Sequence, residues 1–336
     1  MIGAIDLAFV WAAIIAFAVL LYTLLDGFDL GIGILFPFVR DGDQRGRMLS
    51  SIAPVWDGNE TWLVLGGGGL LAVFPLAYSI ILSALYAPII FMLLSLVFRG
   101  VAFEFRWQTP RARKIWDRAF ALGSLGAAVA QGLALGALVQ GIPVSGRAYA
   151  GGWWDWLTPF SLLTALGLTL GYALQGACWL IMKTDGRLQR RAYDLARFLA
   201  PAFLAAIAAV SLWTPFLSAT YSANWFSWPR ILLVAPVPLL VAAAGFALIT
   251  GIAREKERSP YFATQALFIL GFAGLGVSFY PFMVPNSVTI WQAAAPDASL
   301  AFLLAGAAPL LVVILAYTSY AYWVFRGKTP ADHHGY

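Results

Sequence analysis

The stretch Pro54–Gly69, PVWDGNETWLVLGGGG, sets Asp57 and Glu60 just before a long uncharged run that includes four consecutive glycines. Carboxylates so close to hydrocarbon are costly, and side chains kept there handle protons, ions or substrate. A second stretch of this kind is Leu20–Phe38, LLYTLLDGFDLGIGILFPF, which carries Asp26 and Asp29. The two are expected to face each other inside a membrane protein and to serve proton movement.

The composition supports the membrane reading. Of 336 residues, 61% are hydrophobic and 11% charged, where a soluble domain carries about a quarter charged. The net charge of +5 comes from basic residues lying between apolar runs, which explains it without a nucleic-acid partner. Cys178 is the single cysteine, so an internal disulfide and a CxxC redox or zinc motif are excluded. Nothing positive precedes the first apolar run and no small-residue cleavage site ends it, so it reads as a retained span.

A helix needs about 20 apolar residues to cross the hydrocarbon. The chain reads as one all-α transmembrane domain over 1–336, with nine spans near 7–38, 50–75, 78–99, 119–141, 157–182, 198–218, 231–252, 260–281 and 299–325. Pro75 is the expected break between the second and third. With nine spans, 19 of the 21 Lys and Arg collect on one side, Arg99 and Arg106 among them, and Arg147 and Arg230 alone fall on the other. The positive-inside rule then puts the N-terminus outside and the C-terminus in the cytoplasm. The other side is rich in tryptophan (Trp153, Trp154, Trp156, Trp225, Trp228, Trp291), as an aromatic belt at the headgroup level requires. Gly27 with Gly31, Gly132 with Gly136 and Gly167 with Gly171 are spaced for close helix packing, and Gly66–Gly69 serves the same packing or makes room for a bulky neighbour or cofactor.

Asp29 lies eleven residues before Arg40, and Asp57 ten after Arg47. If both segments are helical, each acid is roughly 15 Å above the arginine-bearing edge and the two are level. Asp26 with Asp29, and Asp57 with Glu60, are three apart and share a helix face. Clustered acids can hold a shared proton near neutral pH, and Asn59 and Thr61 can bridge a hydrogen-bonded chain. Glu104, in GVAFEFR, is a candidate intake point. The competing structural reading has these acids capping helices or paired with basic groups. Haem needs His, Met, Cys or Tyr ligands at depth; His333 and His334 stand in the C-terminal tail, and Met92, Met182 and Met283 are scattered singly. On these residues the chain moves protons or packs a partner and does not carry electrons.

DGFDLGIG at Asp26–Gly33, APVWDGNETWLVLGGGGLLAVFPLAY at Ala53–Tyr78 and FRGVAFEFR at Phe98–Arg106, with QGIP at Gln140–Pro143, YPFMVPNS at Tyr280–Ser287 and IWQAAAP at Ile290–Pro296, resemble subunit II of the bacterial cytochrome bd quinol oxidases. The resemblance covers the whole chain, and the wording of ETWLVLGGGG and GVAFEFR is most similar to the cyanide-insensitive branch. It implies a heterodimer in the cytoplasmic (inner) membrane. A partner subunit I would hold the haems, b- and d-type or b-type alone, and the quinol site. This chain would support assembly and line the cytoplasmic proton route to the oxygen-reducing haem through Asp26, Asp29 and Asp57. At Glu104 other members carry aspartate. A structural quinone and a small accessory subunit occur in some members. The alternative from another class is a proton-coupled secondary transporter using the same acids, which the absence of a visible inverted repeat disfavours. A third is a purely structural partner.

Overall fold

The computed structural model describes residues 6–330. Helix α1 (Leu7–Leu35) starts at Asp6, whose side chain accepts from the Phe9 amide, and a 3₁₀ turn (Phe36–Phe38) ends it. At about 1.5 Å per residue α1 is roughly 44 Å long, more than the hydrocarbon needs. Polar α2 (Gly42–Ile52) is capped by Asp41, and α3 (Trp56–Val73) follows after a turn at Pro54.

The expected continuous span over 50–75 is therefore two helices. Pro54 restricts the residue before it and lacks an amide donor. The depth worked out for Asp57 from Arg47 assumed one helix, and Asp57 instead lies in the first turn of α3. At Phe74, with φ −124° and ψ 60°, the chain leaves the helical region, and α4 (Pro75–Ala84) sets off at 120° to α3. The next crossing helix is α5 (Tyr86–Gln108), later in the chain than the expected 78–99.

The remainder alternates long helices with compact connections. Helix α6 (Arg113–Gln140) leads to the hairpin β1 (Val144–Ser145) and β2 (Ala148–Tyr149). Then come α7 (Pro159–Lys183), opened by a Thr158–Ser161 capping box, and α8 (Gly186–Trp213). Short α9 (Ala219–Phe226) and α10 (Arg230–Val234) precede α11 (Pro236–Ala253) and α12 (Ser259–Phe279). Strands β3 (Phe282–Val284) and β4 (Val288–Thr289), α13 (Ile290–Ala293) and α14 (Asp297–Val324) complete the chain. Among the described residues eight helices are long and apolar enough to cross a membrane, or nine if the bent α3–α4 pair counts as one span.

The bundle has two chemically distinct ends. At one, Asp117 is shared by Arg45 at 2.9 Å and Arg106 at 2.6 Å, Arg47 meets Asp185 at 2.8 Å, and Arg197 meets Glu255 at 2.8 Å. Lys183 donates to the Phe325 and Gly327 carbonyls, and Arg47 to the Thr329 carbonyl, strapping the segment after α14 across α2 and α7. Lys328 and Gln189 both bond Glu257, and these contacts hold its carboxyl below the usual carboxylate range. The other end carries the exposed Trp153, Trp154, Trp228 and Trp291. There Trp291 Nε1 donates to Asp6 at 2.7 Å and Trp11 Nε1 to the Leu300 carbonyl at 3.0 Å.

The core is the α1–α6–α7 contact. A Cβ on Gly31 would stand 1.8 Å from the Tyr172 carbonyl oxygen and one on Gly176 2.5 Å from the Gly31 carbonyl carbon. Only paired glycines allow α1 and α7 to cross so closely. Phe28 stacks on Trp179 at 4.1 Å beside the crossing. In the four-glycine run, Gly66 and Gly69 lie against Val19 and Ile15 of α1, whereas Gly67 and Gly68 face open space.

Candidate functional site

Asp26 and Asp29 lie one turn apart on α1, and both are fully buried. They are flanked by the α1–α7 crossing on one side and by α3 and α5 on the other. Helix α5 brings Arg99, 1% exposed. It reaches this position because α6 passes against α5 with Gly123, where a Cβ would be 2.6 Å from the Ser95 carbonyl oxygen and 2.9 Å from the Arg99 nitrogen. Helix α3 brings Asn59 and Glu60, so three helices, α1, α3 and α5, contribute to one polar cluster.

Arg99 is the hub. Its Nη2 stands 2.7 Å from Asp26 Oδ1 and 4.0 Å from Asp29 Oδ2, and its Nη1 donates to Glu60 Oε1 at 2.7 Å and to Asp26 Oδ2 at 3.1 Å. Trp56 packs against the guanidinium, its ring 5.9 Å away. Asn59 Nδ2 donates to Asp29 Oδ2 at 2.7 Å. The Glu60 side chain is 27% exposed, so the cluster touches the surface of the chain through this one residue. A second polar line lies one turn along α1: Tyr172 donates to Gln131 at 2.9 Å and Gln131 to the Tyr22 hydroxyl at 2.8 Å.

The sequence-based candidates divide into two groups. Asp26, Asp29 and Glu60 are brought together. Asp57, one turn before Glu60, is exposed on the outer face of α3, and Glu104, five residues past Arg99, is exposed on α5. Asn59 joins the cluster, but Thr61 does not: its hydroxyl turns back to the Asp57 carbonyl at 3.4 Å, on the exposed face. His333 and His334 lie outside the described residues.

Arg99 is the member that sequence reasoning misplaced. Counted with the loop arginines, it is instead buried among the carboxylates, because α5 runs on to Gln108 and carries Arg99 inside with it. Two signals pointed to it. Uncharged residues stand on both sides of it in LVFRGVAF, and acids buried in hydrocarbon call for a cation.

Haem ligation demands a donor aimed at a porphyrin-sized space. Cys178 is fully buried with its Sγ 3.6 Å from Thr264 Oγ1. Met92 and Met182 pack against one apolar core and Met283 against another. No histidine occurs among the described residues.

Comparison with known proteins gives a consistent result. The family model described as "Cytochrome bd terminal oxidase subunit II" matches residues 7–325. The chain is 28% identical to "Cytochrome bd-I ubiquinol oxidase subunit 2" of Escherichia coli (strain K12), over 97% of this chain and 96% of that one. It is also 28% identical to "Cytochrome bd ubiquinol oxidase subunit 2" of Bacillus subtilis (strain 168), over 95% of each. Its fold is similar to a chain in the structure of bd oxidase from Geobacillus thermodenitrificans, with TM-score 0.75, 18% identity, and 95% of this chain and 99% of that chain covered.

Proposed function

The chain belongs to the cytochrome bd terminal oxidase subunit II family, and from that premise we propose that its buried acid cluster holds and passes protons for the quinol oxidase complex of which it is a subunit. The observation carrying this is the charge count. Asp26, Asp29 and Glu60 surround one guanidinium, so with all three ionised the cluster would hold two uncompensated negative charges. Each such charge away from water costs several kcal/mol. Bound protons remove the cost, and a group that balances its charge with protons takes them up and gives them back as its surroundings change.

Glu60 is the port through which protons enter and leave the cluster. It alone of the three acids reaches the chain surface, and exposed Asp57 follows one turn away on α3. A carboxylate facing lipid is expensive, so the partner subunit covers this face and receives the proton there. Glu104, exposed beyond Arg99 on α5, serves intake at the arginine-rich end, which faces the cytoplasm; the N-terminus is outside. The haems, b- and d-type or b-type alone, belong to the partner subunit I. This chain supports its assembly, with room for a structural quinone or a small accessory subunit in the complex. Haem on the partner supplies the oxygen chemistry; the residues here supply protons from the cytoplasmic side.

The test is oxygen consumption with quinol by the purified complex carrying Asp29→Asn or Asp26→Asn. Each should lower turnover at least about tenfold, a barrier change of roughly 1.4 kcal/mol, while the haem absorption stays in place. Wild-type turnover in both variants would remove the cluster from proton delivery.

A further inference from the structure

Asp29 is held asymmetrically. Its Oδ2 accepts from Asn59 at 2.7 Å, whereas Oδ1, equally buried, has no hydrogen-bond partner among the described residues. Asn59, 1% exposed, uses its whole side chain: Nδ2 donates to Asp29 Oδ2 and to the Leu25 carbonyl at 3.2 Å, and Oδ1 accepts from the Tyr322 hydroxyl at 2.9 Å. Turning the amide over would place its oxygen against a carboxylate and a carbonyl, leaving two acceptors facing a third. Tyr322 reaches Asn59 from α14, and its ring packs edge-on to Trp179 at 6.3 Å, which stacks in turn on Phe28, the residue before Asp29.

We propose that Tyr322, acting through Asn59, is a positioning residue: it orients the amide that pins Asp29 Oδ2 and so reserves Oδ1 as the oxygen that exchanges protons. An amide does not exchange protons readily, so the pinned oxygen is occupied by a donor that stays put. The open oxygen is the one on which a proton comes and goes. Without the hydroxyl, Asn59 loses the contact that fixes its orientation from the far side, and the two Asp29 oxygens become alternatives for one another. The inference rests on the proton role proposed for Asp29, and the experiment separates the two.

In the purified complex, infrared difference spectra taken across the redox cycle should contain a carbonyl band of protonated Asp29, identified by its loss in Asp29→Asn. Tyr322→Phe, which keeps the ring, should shift or split that band and slow quinol-driven oxygen consumption about 3–10-fold, the scale of one net hydrogen bond, with haem absorption unchanged. A slow Tyr322→Phe enzyme with the band unmoved would make Tyr322 merely structural and overturn the inference, as would unchanged turnover. Should Tyr322→Phe fail to assemble, Asn59→Gln takes its place: the amide survives but is displaced by one methylene, and an unmoved band again overturns the proposal. If Asp29→Asn itself turns over normally, the proton reading falls; if it is slow and only the Tyr322 result fails, the positioning role falls alone.

Discussion

Replacing Arg99 by glutamine removes the one cation among the described residues that touches Asp26 and Glu60. Removing one partner of a buried ion pair costs about 3–5 kcal/mol, because the other charge is left uncompensated. Asp26 is fully buried and bears this cost in full; the 27% exposed Glu60 side chain can turn toward water and adds less. At roughly 2–4 °C per kcal/mol for a chain somewhat smaller than this, Arg99→Gln should lower the thermal midpoint of the detergent-solubilised complex by on the order of 10 °C. The double variant Arg99→Gln with Asp26→Asn has neither charge, and most of the loss should return, to within about 1–2 kcal/mol of the parent. Differential scanning fluorimetry of the parent, both single variants and the double variant closes the cycle. A double variant no more stable than Arg99→Gln, or a single variant melting within a couple of degrees of the parent, refutes the hub role.

Four further outcomes follow from the geometry. Asp57→Asn should lower quinol oxidase turnover while leaving the haem spectrum in place, and wild-type turnover would remove Asp57 from the hand-off to the partner. Gly31→Ala forces a Cβ into the Tyr172 carbonyl and should cost at least about 1–3 kcal/mol by overpacking, read as lost yield and a lower melting point. A Cβ at Gly67 meets nothing within 4 Å among the described residues, so Gly67→Trp should insert normally but fail to co-purify the partner subunit; full co-purification would move the interface elsewhere. The Glu257 carboxyl lies below its ordinary value, so its tether to Lys328 is in force above about pH 4.3 and lost as pH falls through the lower folded value. Hydrogen exchange at Phe325–Thr329, corrected for the intrinsic rate, should accelerate in that acid window, and Lys328→Ala should abolish the step.

Asp26 and Asp29 were legible because two acids inside an uninterrupted apolar run have nowhere to go but the interior. Arg99 was not, because adjacency to the polar 104–118 segment hid the fact that α5 continues past it; a helix satisfies its backbone internally and runs on through charged residues without regard to where the apolar stretch stops. The early starts of α6 at Arg113 and α8 at Gly186, ahead of the expected 119 and 198, have the same cause. Pro75 announced a break and Pro54, read through as part of one span, marked another, but a missing donor tells where the ladder stops and not which way the chain then turns. That direction decided the position of Asp57, which moved from the interior to an outer face. The Asn59–Tyr322 contact spans 263 residues and leaves no local mark in either segment.

The turn after Phe74 gives the bundle an electrical asymmetry. By lying across the tryptophan-rich end, α4 buries Phe74, Ala77 and Ile80 with Trp11, Val284 and Leu300 in a dry apolar plug, while the opposite end is laced with charge. A membrane voltage falls mostly across the stretch of lowest permittivity, and each elementary charge is worth about 2.3 kcal/mol per 100 mV. The plug is the insulating stretch between the acids of α1 and the tryptophan-rich face, so a charge placed on those acids is separated from that face by the larger share of the membrane voltage.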